Sequence, residues 1–262
     1  MKNNTKRVYG FRKPNNSWQK VNKWYGKITE GEGHYYHRNV IIPKLLNLLN
    51  LKSDSKVLDF GCGSGILGRS IDKNISYTGV DLSSSLVKEA ERQDKSVRHK
   101  YVVGDASSVN LQEYDFTHCV FVLSFQNIKE AALAISNSKK HLQKGGLIVL
   151  VLNHPAFRIP RQSSWQIDNN NKTEYRRVNK YMSNMEIPIN MNPSSRNSEL
   201  TWSYHYPISS ISKMLTSNDF SITNIEEWTS DKQSVGAASK MENAARNEFP
   251  LFMTIVGVKK AD

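Results

Sequence analysis

The sequence predicts an α/β fold built on a parallel sheet with helices on both faces. Short apolar strands alternate with helical segments between residues 56 and 153, and the first strand runs directly into the glycine-rich turn GCGSG. Strand and helix signals then return after residue 207. Alternation at that spacing is what strand-helix-strand units produce, and strands connected in this way are buried on both faces.

The elements follow in order. From Tyr36 to Leu51 the apolar residues Val40, Ile41, Leu45, Leu48 and Leu49 recur at helical spacing, which makes one amphipathic helix. Pro43 fits only its early turns or marks a kink. KVLDF (56–60) is a short apolar strand, GCGSG turns the chain, and residues 66–71 open a helix. ISYTGVD (75–81) is the second strand, followed by Ser83 as the N-cap of a helix that runs to about Arg92. RHKYVVGD (98–105), YDFTHCVFVL (114–123) and GGLIVLVLN (145–153) are three further strands, the last preceded by a helix over residues 129–142. Residues 154–206 break the pattern, with four prolines, an Asn-rich stretch at 168–172 and no sustained period. A helix over 208–217 and strands at 221–228 and 251–260 complete the chain. This divides it into a basic arm or lid (1–34), a ligand-binding half (35–153), a cap insertion after the fifth strand (154–206) and a segment that completes the same sheet (207–262).

Composition narrows the function. A chain of 262 residues, 38% of them hydrophobic, has room for one elaborated domain with a sizeable core, which excludes a wholly disordered protein. Its two cysteines, Cys62 in the glycine turn and Cys119 in an apolar run, exclude a disulfide scaffold and a zinc cluster and fit a reducing compartment. No apolar stretch reaches the ~18–20 residues that cross a bilayer, and the first residues lack the apolar core of a secretory signal. The expectation is a soluble cytoplasmic protein without membrane contact. The 36 Lys and Arg against 24 Asp and Glu give a net charge of +12. In a Lys- and Asn-rich chain much of that is dispersed lysine, but residues 1–27 hold eight basic residues and no acid, interspersed with Trp18, Trp24 and Tyr25. Such an arm serves as a lid or as a contact for a polyanion.

The chemistry concentrates at strand ends. VLDFGCGSG puts Asp59 at the end of the first strand and Gly61, Gly63 and Gly65 where the backbone must turn sharply and admit a ligand. Asp81 ends the second strand, about twenty residues later, where an acid accepts hydrogen bonds from ribose hydroxyls. Asp105 follows the third and can take an adenine amino group. GSGILG, from Gly63, also matches the dinucleotide fingerprint. The sign of the ligand decides between them: Asp59 repels a pyrophosphate, whereas the ammonium and sulfonium of S-adenosylmethionine (SAM) are attracted to it. Three acids at consecutive strand ends, on the edge where α/β sheets bind ligands, weigh against simple turn or capping roles.

VLDFGCGSG, GVDLS and VGDA, followed by the returning strand-helix-strand-strand pattern, resemble the class I SAM-dependent methyltransferases over about residues 35–260. The resemblance implies a Rossmann-like, seven-stranded sheet whose antiparallel last strand is inserted between strands five and six. It implies that Asp59, Gly61, Cys62, Gly63 and Gly65 hold the methionine part of SAM, Asp81 and Leu82 the ribose, and Asp105 and Ala106 the adenine. Leu123 to Asn127 would close over the cofactor. NHPAFRIP, the YRR near 175, YHYP near 204 and ENAARNEFPLF are similar to a bacterial subgroup within the branch that includes quinone-biosynthesis and other small-molecule enzymes. NHPAFRIP departs from the N-P-P-F type motif of amino-methylating enzymes: His154 replaces a proline, and the motif follows the fifth strand rather than the fourth.

Methyl transfer from SAM is an in-line displacement, so positioning and water exclusion carry much of the catalysis and a base is needed only if the acceptor must lose a proton. His154 is the first candidate base because a histidine titrates near neutrality, and His205 the second; each alternatively orders its own loop. Glu32, His34 and His37 are too sparse for a metal site. Tyr36 and His37 are expected to touch cofactor or acceptor, with Asn153 and His154 beside them. Arg158, Arg161 and Arg176 cluster in the cap with Trp165, Tyr175 and Trp202, where guanidiniums can pair with an acid and aromatic faces can stack on a planar group; the alternative is a solvated cap. The expected activity is methylation of an O or N atom of a small molecule, acidic or aromatic in character. An RNA or peptide acceptor, for which no binding module is visible, and SAM binding without transfer are the alternatives.

Overall fold

The computed structural model describes residues 34–190 and 200–261. The arm expected over 1–34, including Glu32, lies outside them except for His34.

Seven strands form one sheet: β1 (Lys56–Phe60), β2 (Ser76–Asp81), β3 (His99–Val103), β4 (Phe116–Val122), β5 (Leu142–Asn153), β10 (Phe220–Trp228) and β11 (Phe252–Lys259), in the order β10-β11-β5-β4-β1-β2-β3. β1 to β5 are mutually parallel, and β11 runs antiparallel to both β5 and β10, between which it is inserted. This is the seven-stranded, Rossmann-like arrangement that the motifs imply.

Alternation along the central strands feeds two cores. Leu58, Phe60, Phe121 and Leu150 pack on one face with α4 (Ala131–His141) and α5 (Ile208–Thr216). Val57, Val120, Val149 and Val151 pack on the other with Ile41, Leu45 and Leu49 of the first helical segment. That segment is not one uniform helix. It begins as a π-helical turn, His37–Ile41, and continues as α1, Ile42–Leu49. Pro43 follows the π-helical turn by two residues inside a continuous helical run, so its missing N–H falls where the helix is already irregular. α2 (Ile66–Ser70) follows the glycine turn, and α3 (Ser84–Gln93) is capped by Ser83, whose Oγ accepts from the Leu86 N–H at 3.4 Å.

The described residues of the segment without a sequence period form two antiparallel strand pairs, β6 (Ser163–Asp168) with β7 (Thr173–Val178), and β8 (Met185–Asn190) with β9 (Leu200–His205). The Asn-rich stretch is the first hairpin's turn: Asp168 Oδ1 accepts from the Asn170 N–H at 2.9 Å. A further helix, α6 (Ser239–Glu248), lies between β10 and β11 where no helix was expected. Its only fully buried residue is Ala245, so it carries little apolar stripe to read. Among the described residues no helix is long and apolar enough to cross a membrane.

Candidate active site

β1 ends at Phe60 and the chain turns at once. The Gly61 and Cys62 N–H groups both donate to Val80 O, at 2.7 and 3.1 Å, which holds the turn against the end of β2. Gly61 has a φ of +77°, and a Cβ there would stand 2.3 Å from Ser124 Cβ, so the β4 loop closes onto a position that only glycine can fill. Gly63, at φ +55°, has nothing within 4 Å of where its Cβ would be, so its backbone faces open space.

Asp81 binds this loop to the next. Its Oδ2 accepts from the Gly63 N–H at 2.9 Å and its Oδ1 from the Ser83 N–H at 2.8 Å. Burial pushes its pKa up, and the N–H groups of Ser83, Gly63 and Leu82 pull it back. Asp105, at the end of β3, accepts from both the N–H and the hydroxyl of Ser107, at 2.8 and 2.7 Å. At the end of β4, Leu123 adopts a φ of +56°, and its N–H donates to Val151 O at 2.9 Å. Gln126 then brackets the Asn153 backbone, accepting from its N–H at 2.9 Å and donating to its carbonyl at 3.2 Å.

These strand ends floor a cleft of about 380 Å³. Of the expected cofactor residues, Gly61, Gly63, Asp81, Leu82, Asp105, Ala106, Leu123 and Asn127 line it. Asp59, Cys62 and Gly65 do not. The Asp59 side chain turns down beside β2, where Oδ2 accepts from the Tyr77 hydroxyl at 2.7 Å and Oδ1 is buried without a partner. Burial above all, with Asp81 nearby, raises its pKa to about 7 against the opposing Tyr77 hydrogen bond. Cys62 and Gly65 pack inside the turn.

The acceptor-side expectations divide differently. His37 and Trp202 line the cleft; Tyr204, Lys129 and Glu130 join them, and the sequence reading did not single those three out as site residues. Trp202 and Tyr204 are two apart on β9 and so share one face, a period-2 signal that was hidden inside an apparently irregular segment. His37 Nδ1 is buried without a partner, and burial, then His34, lowers its pKa to about 4, so the imidazole is neutral at pH 7. Tyr36 and Trp165 instead wall a second, smaller cavity of about 240 Å³ with Glu174, Glu242 and Arg246.

His154 is a correction. Its Nε2 lies 2.6 Å from Glu227 Oε1, and its Nδ1 accepts from the Ala156 and Phe157 N–H groups at 3.1 and 3.3 Å. Both nitrogens are committed to ordering the loop after β5, outside the cleft, so no free position remains for proton transfer. His205 is likewise occupied, Nε2 donating to Tyr181 O at 2.8 Å. Asn153 is held by Gln126, Arg158 and Arg176 stack within the cap, Arg161 sits at a turn with φ +60°, and Tyr175 is exposed; none lines the cleft. Among the described residues no group of three or more His, Cys, Asp or Glu could hold a metal ion.

Residues 57–146 match the methyltransferase domain family. Over that stretch the chain is similar to methyltransferases. A demethylmenaquinone methyltransferase of Staphylococcus saprophyticus subsp. saprophyticus is 26% identical over 111 residues, covering 40% of this chain and 48% of that protein. A ubiquinone biosynthesis O-methyltransferase of Hydrogenovibrio crunogenus is 26% identical over 140 residues, covering 51% and 57%. The chain thus spans about half the length of these curated relatives. A SAM-dependent methyltransferase from Mesorhizobium loti superposes with a TM-score of 0.65 at 20% identity, covering 82% of this chain and 96% of that one, which establishes the shared fold. The residues of the cleft fit the SAM named for such similar proteins: Asp81 and Asp105 would offer acceptors to ribose and adenine, Gly63 leaves room for close approach, and Asp59 Oδ1, buried without a partner, lies on the strand that leads into the turn.

Two outcomes are expected for the cleft if it holds SAM. Asp81→Ala should weaken S-adenosylhomocysteine binding by about thirtyfold or more in calorimetry, since hydrogen bonds to an ionised group contribute ~1.5–3 kcal/mol each; unchanged affinity refutes the assignment. Asp59 is half-protonated near pH 7 in the free protein, and a cationic ligand favours its ionised form. SAM binding therefore releases a proton below that pH, and affinity should rise from pH 6 to 8, a rise that Asp59→Asn should flatten.

Proposed function

We propose that the protein transfers the methyl group of SAM to an oxygen or nitrogen atom of a small molecule. The observation that carries this reading is the lining of the cleft: Asp81, Asp105 and the glycine turn share it with Trp202, Tyr204 and His37. Carboxylates beside aromatic side chains suit a cationic cofactor next to a compact acceptor better than an open track for a polymer. The quinone-biosynthesis names of the two matched relatives support a small-molecule acceptor.

When bound, SAM supplies a methyl carbon already activated by its sulfonium. The chain's own contribution is to orient the acceptor and keep water out. Trp202 and Tyr204 present hydrophobic bulk to the cleft, and Tyr204 is almost fully buried in doing so. Burial pushes its phenol pKa up, so it stays a neutral hydrogen-bonding group. His37, a neutral imidazole in the cleft wall, is placed to accept a hydrogen bond from the acceptor's O–H or N–H and so to orient the attacking lone pair. Its low pKa makes it an orienting group at neutral pH rather than a store for the departing proton.

Incubation with methyl-labelled SAM and a cell extract should move label into the small-molecule fraction, and His37→Gln should slow that transfer by about tenfold or more while S-adenosylhomocysteine affinity is retained. Label found only in RNA or protein would favour a macromolecular acceptor, and no transfer at all would leave a SAM-binding protein.

A further inference from the structure

Arg158 lies in the segment after β5, with its guanidinium carbon 5.2 Å from the centroid of the Phe252 ring. Its side chain makes no hydrogen bond or ion pair with any described residue. The groups that act on it are the Tyr36 phenol and a second guanidinium, Arg176, which repels it. Arg176 stacks over Trp165 at 4.8 Å and donates to Phe157 O and Ser163 Oγ, yet its Nε is buried without a partner. The nearest acid influence is Glu174, which acts on Arg176 from beyond ion-pair distance. Burial lowers the pKa of both groups. Partly buried guanidiniums without a carboxylate in ion-pair contact are costly to keep, unless a ligand anion offsets them.

Their place in the sheet ties them to the cleft. Phe252, beneath Arg158, is paired in register with Asn153 at the end of β5, on the edge where β4 ends at the cleft. Phe252 is two strands from β4, and neighbouring strands are about 4.8 Å apart, so the backbone beneath Arg158 lies roughly 10 Å across the sheet from β4. Tyr36, whose ring is 5.7 Å from Phe252, adjoins His37 in the cleft wall. In the smaller cavity nearby, Glu242 and Arg246 already offset each other at 3.8 Å, which leaves Arg158 as the group in need of an anion.

We propose that Arg158, backed by Arg176, binds a carboxylate of the methyl acceptor, so that the acceptor is an organic acid whose reacting atom lies on the cleft side of that group. This rests on the small-molecule methyl transfer proposed above. A guanidinium lying over a ring leaves its edge free for a planar, bidentate partner, which a carboxylate matches.

The test is titration of benzoate and benzamide into the full chain saturated with S-adenosylhomocysteine. Benzoate should bind at least about tenfold more tightly than benzamide. Arg158→Gln should remove that preference, Arg158→Lys should restore part of it, and S-adenosylhomocysteine affinity should be the same in all three proteins. Equal benzoate affinity in wild type and Arg158→Gln, no benzoate binding to wild type, or tighter binding of inorganic phosphate than of benzoate would overturn the proposal. Failure of the wild type to bind S-adenosylhomocysteine would instead undo the methyltransferase reading on which it stands.

Discussion

The hydrogen bond from the Gly63 N–H to Asp81 Oδ2 is the interaction on which the site depends. It ties the turn after β1 to the end of β2 and keeps a carboxylate at the cleft floor. Its effect is amplified by its neighbours. The same carboxylate holds the Ser83 N–H, and Ser83 caps α3, so one side chain sets the glycine turn, the strand end and the helix start together. The cost is desolvation, visible in the raised pKa of Asp81, and three backbone N–H groups offset it. A ribose that brings further donors to this carboxylate would complete a site already arranged for it.

The rest of the molecule divides the labour around that floor. β4 supplies the closing wall, because Ser124 fills the space that a side chain at position 61 would need and Gln126 fastens the same loop to β5. β9 contributes Trp202 and Tyr204 to the lining of the same cleft. His154 and Glu227 brace the loop that leads into the cap, which makes NHPAFRIP a structural hinge between the sheet and the hairpins rather than a proton relay. The cleft lining thus combines the polar strand ends with aromatic side chains from β9.

The strand ends were legible because their signals are local. KVLDF, GCGSG and ISYTGVD each state a strand, a turn or a terminal acid within a few residues, and backbone geometry makes glycine and aspartate necessary there. The cap was not legible, since its hairpins are short and amphipathic on a small scale, and Asn-rich turns read as loop until their partners are known. Trp202 and Tyr204 alternate on β9, but Trp202 is partly exposed and the alternation is too brief to stand out. His154 misled for a physical reason: a histidine at a strand's carboxyl end is equally suited to catalysis and to holding a loop, and only the position of Glu227, 73 residues away, decides. The net charge of +12 resolves only in part, with Arg158 and Arg176 partly buried over aromatic rings and the basic first 27 residues outside the described region.

The central claim is that Asp81 and Asp105 at adjoining strand ends define the cofactor's place. A crystal structure of the complex with S-adenosylhomocysteine tests it most directly. The account requires the ribose hydroxyls within hydrogen-bond distance of Asp81 and the adenine beside Asp105 and Ala106. A product bound elsewhere, or an Asp81 carboxylate making no contact with it, would contradict that account.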